Sequence, residues 1–115
     1  MIKINFSHPN AVLEAEGYVN HQFHVRLEDP DLLANLIVYL SPIVGDGSED
    51  VTIVSPGLAP LSVLVVTVIH GLTGRFPLVV AMKKGDDGFF PLPAVNLQEY
   101  RNSCVRLSRE GLTVL

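Results

Sequence analysis

The chain opens on IKINFS (residues 2–7), in which Ile2, Ile4 and Phe6 alternate with Lys3, Asn5 and Ser7. A period of two sends one set of side chains to a core face and the other away from it, so this run predicts a first β-strand. HPNAVLEAEG (8–17) has room for a helical turn or two before Gly17, and the pattern leaves open whether residues 9–20 form a helix. Alternation returns in HQFHVRL (21–27), where Phe23, Val25 and Leu27 oppose His24 and Arg26. That predicts a half-buried or edge strand.

The period then changes. In EDPDLLANLIVYL (28–40), Asp29 as N-cap, Pro30 at the first helical position and Asp31 in the first turn form a helix-start signature. Leu32, Leu33, Leu36, Ile37 and Leu40 recur at helical spacing and predict a core-facing stripe, ended by Pro42 and GDGSED (45–50). VTIVS (51–55) is a short apolar run of the kind found in a sheet buried on both faces.

PGLAPLSVLVVTVIHGLTG (56–74) carries two opposed signals. Its β-branched residues favour a strand by propensity. Pro60 at a first-turn position, Gly74 as a C-cap and a length beyond that of an ordinary strand favour a helix. A parallel pairing of VTIVS with PLVVAMK (77–83) also needs a crossover element between them, and the helix supplies it. Being apolar nearly all round, it is expected to pack on the sheet on one side and on a partner on the other.

KKGDDG (83–88) predicts a hairpin turn, tightest at Asp87-Gly88. FFPLPAVNL (89–97) then returns antiparallel, held to an edge by Pro91 and Pro93. QEYRNSCVRLSRE (98–110), with Tyr100, Cys104, Val105 and Leu107, predicts a terminal helix with Cys104 as packing. The expected fold class is α/β: a mostly parallel sheet flanked by helices, with a C-terminal β-hairpin and helix.

Composition narrows the partners. The 115 residues suit one domain over residues 1–115. With 48% hydrophobic and only 17% charged residues, the chain is expected to cover apolar surface with a second copy of itself. A net charge of −4 argues against duplex nucleic acid and membrane surfaces, yet leaves room for a small anion held by local donors. Cys104 is the one cysteine and no leader-like run precedes Asn5, which gives a cytoplasmic expectation. The apolar stretch 58–72 is too short and too interrupted to span a bilayer.

In open α/β sheets, ligands sit beyond the carboxyl ends of the parallel strands. That rule collects Ser7 and His8 after the first strand, Ser55, Pro56 and Gly57 after VTIVS, and Lys83 after PLVVAMK. Gly57 permits close backbone approach, and a helix from Pro60 would aim free N–H groups at the same place. The result is a candidate anion site of hydroxyls, an imidazole, an ammonium and backbone donors. Each piece also has a plainer reading: Ser-His-Pro as a cap and turn, Ser-Pro-Gly as loop, Lys83 as a solvated hairpin residue. His21 and His24 lie on opposite strand faces and do not suit a shared metal; His70 fits a helix C-terminus or an interface. No metal pattern, phosphate loop or nucleophile elbow is present, and no cofactor is expected.

Four motifs occur in a fixed order: INFSHP, PGLAP, HGLTGRFP and VNLQ. In these, over residues 1–8 and roughly 51–101, the chain resembles the small CRISPR-associated ancillary proteins of type III systems that are grouped with the ring nucleases. The resemblance implies a Rossmann-like, CARF-like domain working as a homodimer, with larger assemblies left open. It implies a cyclic oligoadenylate ligand, chiefly cyclic tetra-adenylate, bound across the dimer axis. It carries Asn5, Ser7, His8, Pro56 and Gly57 into the ligand-binding set, with Lys83 where relatives tend to be basic. His8 is the candidate catalytic residue. The implied role is to lower the free messenger in antiviral defence, by cutting it without metal, by sequestering it, or both. The chain departs from the family pattern between its first two strands, where NAVLEAEGYVN is barely long enough for the expected helix. Two other readings compete: a small homodimeric interaction module without a nucleotide ligand, and a hydrolase of some unrelated small nucleotide.

Overall fold

A computed structural model describes residues 1–21 and 27–111. The pattern IKIN gives strand β1 (Ile2–Asn5), and the ladder continues one step further as the Phe6 N–H donates to the Val54 carbonyl at 3.0 Å. Helix α1 (Ala11–Ala15) does form, as little more than one turn. Asn10 caps it, its Oδ1 accepting from the N–H groups of Val12 and Leu13, and Gly17 at φ 91° turns the chain away. Strand β2 (Val19–Asn20) follows at once. The strand expected over 21–27 lies outside the described residues, apart from His21 and Leu27.

Helix α2 (Leu32–Val44) begins later than its start signature suggests. The Asp29 carboxylate accepts from the Asp31 N–H at 2.9 Å and from Asn35 Nδ2 at 3.3 Å, so it closes a turn before the helix instead of capping it. The helix also runs past Pro42 and ends at Gly45. Pro42 forfeits one backbone bond and crowds the carbonyl four residues back, yet the helix continues two residues further and buries Val44. Its buried stripe is Leu32, Leu36, Leu40 and Val44, at strict i, i+4 spacing; Leu33 and Ile37, expected in the core, are exposed.

Strand β3 (Val51–Val54) is buried at every residue, and helix α3 (Ala59–Thr73) follows, with Pro60 in its first turn and Gly74 in the left-handed region behind it. The long strand expected over 77–83 is two strands, β4 (Leu78–Val80) and β5 (Met82–Gly85), broken at Ala81. β5 pairs with β6 (Gly88–Pro91) in a separate two-stranded hairpin whose turn residues are Asp86 and Asp87, one residue earlier than the expected Asp87-Gly88. Gly88, at φ 108°, takes up the backbone conformation that closes it. β7 (Val95–Asn96) returns to the main sheet antiparallel to β4, and α4 (Leu97–Arg109) ends the described chain, its Asn96 cap accepting from the Glu99 N–H.

The main sheet has five strands in the order β2-β1-β3-β4-β7, all parallel except the last. One face, with Ile4 and Ile53, packs under α2 and α3 through Leu36, Leu40, Val65 and Ile69. The other carries Val54 and Val80 against Leu13 and Tyr18. The chain leaves β1 for β2 on one side and returns to β3 on the other. The strand order therefore reverses between β1 and β3, which opens a crevice at their carboxyl ends. Among the described residues no helix is long and apolar enough to cross a membrane.

Candidate functional site

That crevice is occupied by a cavity of about 390 Å³, within the usual range for small-molecule sites. Ser7 and His8 line it from the end of β1, and Ser55, Pro56 and Gly57 from the end of β3. Five of the seven residues singled out in the sequence thus meet around one space. Ala81, Met82 and Phe89 complete the wall from the hairpin side, with Pro9 and Asn10 beside His8.

Asn5 does not line the cavity; it builds the loop that does. The side chain is fully buried and each of its polar atoms is engaged. Nδ2 donates to the His8 carbonyl at 3.0 Å and to Asn20 Oδ1 at 2.9 Å, while Oδ1 accepts from the Ser7 N–H at 2.9 Å. These bonds fold Ser7-His8 back over the strand end and tie the loop to β2. Asn20 in turn donates to Glu14 of α1 at 2.9 Å, which extends the chain of bonds to the short helix. Below it, Tyr18 packs with Leu13, and burial, then the Glu16 carboxylate, raise its pKa above the ordinary phenol value.

The β3 side is held as firmly. The Ser55 N–H donates to the Val80 carbonyl at 2.9 Å, and Ser62 Oγ donates to the Pro56 carbonyl at 2.9 Å, which pins the loop to the first turns of α3. Gly57 is exposed, and a Cβ built on it meets nothing within 4 Å. No neighbour in the protein demands glycine there, so the open space belongs to whatever enters the cavity. No side chain caps the N-terminus of α3, although the lining itself stops at Gly57.

Lys83 is not brought to the cavity. The break at Ala81 puts it in the hairpin, where it pairs with Phe90. Paired residues of an antiparallel ladder share a face, and neighbours along a strand alternate. Met82 and Phe89, which line the cavity, therefore share their face with Lys84, and Lys83 stands on the other with Phe90. Sequence reasoning missed Asn10, Met82 and Phe89. The aromatic pair after a glycine was visible, but its face depends on a hairpin register that composition does not show. Asn10 Nδ2 donates to the Phe89 carbonyl at 3.3 Å, which ties the hairpin to the loop after β1, and the Leu92 N–H donates to the Ala81 carbonyl at 2.9 Å at the hairpin's base.

The remaining candidates lie elsewhere. His70 stacks at 4.2 Å on Phe76 at the end of α3, His21 contacts the Tyr39 hydroxyl, and Cys104 is exposed instead of packed. A smaller cavity of about 240 Å³ opens at the amino ends of the strands, but its one cation, Arg75, is already held by Asp50 at 2.7 Å and by the Gly47 carbonyl. No carboxylate is among the residues lining the larger cavity, so a small anion meets hydroxyls, an imidazole and apolar surface there. No family model, no curated protein and no solved structure matches the chain.

Proposed function

We propose that this chain is a Rossmann-like, CARF-like domain that binds cyclic tetra-adenylate across the axis of a homodimer. In this reading it lowers the free messenger in type III CRISPR antiviral defence, by holding the ring, by cutting it, or both. The observation that carries the reading is the meeting of Ser7, His8, Ser55, Pro56 and Gly57 in one cavity at the β1/β3 crevice. One such cavity suits a nucleotide unit, and two related by a dyad suit a ring of four such units with the same symmetry. A net negative chain can hold such a ring because the charge next to the ligand counts for more than the total.

Cutting needs little from the protein. A ribose 2′-oxygen attacks the adjacent phosphorus, the bond from phosphorus to the 5′-oxygen breaks, and a 2′,3′-cyclic phosphate and a 5′-hydroxyl result. His8 would take the proton from the attacking hydroxyl or supply one to the leaving oxygen. The Ser7 and Ser55 hydroxyls would donate to the non-bridging oxygens as charge builds on them. Alignment of the attack by a rigid loop supplies the rest.

The test is a time course with labelled cyclic tetra-adenylate and purified protein without added metal. Linear product beyond one equivalent identifies a ring nuclease, and retention of intact ring identifies a sequestering protein. Neither linear product nor retained ring overturns the proposal. The second reading, a dimerising module without nucleotide, is favoured by the exposed Leu33 and Val38 of α2 and Val63 of α3. It predicts a dimer that ignores the ring.

A further inference from the structure

The large cavity has two unlike walls. Ser7, His8 and Ser55 give it a polar lip, while Met82, Phe89, Pro9 and Pro56 give it an apolar side. Phe89 is 59% exposed, so burial of its ring in the core does not account for it. It is nonetheless held in place, through its own carbonyl to Asn10 and through its ladder with Lys84. Phe90, by contrast, lies over Gly85 on the opposite face, its ring carbon 2.9 Å from where a Cβ on that glycine would stand.

We infer that Phe89 is the base-stacking wall of this cavity and that Lys84, on the same hairpin face, takes a phosphate of the same nucleotide. A planar ring that is exposed, anchored by its backbone and next to a polar lip fits a ligand with one flat apolar face and one anionic arm. A purine such as adenine offers more stacking area than a pyrimidine, and the hydroxyl lip then meets the sugar and phosphate. Lys84 stands just outside the lining, as the ladder partner of Phe89, with Asp86 and Asp87 beyond it in the turn. This inference rests on the nucleotide reading of the site and adds to it a base-stacking residue and a cation, Lys84, one position beyond the expected Lys83.

The native chain has no tryptophan, so Phe89→Trp introduces the only indole, at the wall itself. Cyclic tetra-adenylate and 5′-AMP are titrated separately into this variant, and retention of labelled ring by the native chain is measured alongside. Saturable quenching of the indole by both ligands is expected, with ring retention preserved in Phe89→Trp and lowered about tenfold or more in Phe89→Leu. Lys84→Ala should lower retention several-fold and flatten its salt dependence, while Lys83→Ala leaves both unchanged. Ring retained by the native chain, with no quenching and no loss in Phe89→Leu, overturns the inference and leaves the proposed function standing. Ring neither retained nor cut, with quenching by 5′-AMP, overturns the proposed function and keeps Phe89 as a base wall. Neither retention nor quenching overturns both.

Discussion

The side-chain amide of Asn5 donates to the main-chain carbonyl of His8, three residues on, at 3.0 Å. One fully buried side chain thereby sets the direction in which the cavity-lining residues Ser7 and His8 leave the sheet. Asn5→Ala would strand the Ser7 N–H, the His8 carbonyl and the Asn20 side chain at once. A cost of about 3 kcal/mol in urea unfolding is expected, since three part-buried hydrogen bonds are lost at roughly 1 kcal/mol each. Asn5→Asp should fare no better, because a carboxylate oxygen would face the His8 carbonyl where a donor now stands. An unchanged unfolding midpoint in both variants would show that the loop is held by other means.

Gly57 gives the opposite kind of test. A side chain built there has open space and the residue is not in the left-handed region, so Gly57→Ala and Gly57→Val should alter stability by no more than about 0.5 kcal/mol. Ligand retention should fall with the size of the added group, most in Gly57→Val, because the substituent fills space that the ligand uses. Full retention in Gly57→Val would place the site elsewhere.

His8 separates cutting from holding. If the ring is cut, His8→Ala should slow cleavage by a factor of about 100 or more while changing binding far less, as expected for a lost proton-transfer group. Single-turnover cleavage and equilibrium retention measured on the same preparation resolve the two. Equal losses in both would make His8 a binding residue only.

The packing of α2 makes a prediction about the fold. Leu36 is fully buried and Leu33 is 58% exposed, although three residues of one helix separate them. Leu36→Ala should cost about 2–5 kcal/mol, through lost burial and the cavity it leaves. Leu33→Ala should cost less than about 1 kcal/mol, and comparable losses for the two would contradict the i, i+4 stripe.

These residues also show what was legible in the chain. Leu36 and Leu33 look alike in a helical pattern, because periodicity gives the width of an apolar face and not which edge of it meets the sheet. Asp29 and Pro30 read as a helix start since the same side-chain geometry closes a turn before the helix. By contrast, Pro60 and Gly74 bracket α3 as expected, because proline and glycine act through the local backbone and need no partner. The meeting of Ser7-His8 with Ser55-Gly57 was legible for a similar reason: strand alternation alone places both loops at one end of a parallel sheet. Met82 and Phe89 were not, since their face follows from the break at Ala81 and the Asp86-Asp87 turn, which only the folded hairpin reveals. Asn5 was expected among the ligand-binding residues and instead holds the loop, as a strand-end asparagine reads the same in either task.

The most direct test of the account is the stoichiometry of ring binding, read by titrating labelled cyclic tetra-adenylate into the native chain at concentrations far above dissociation, with sedimentation reporting the size of the complex. The account predicts saturation at one ring per two chains, in a particle of two chains. Saturation at one ring per chain, or neither retained ring nor linear product at any ratio, would contradict it.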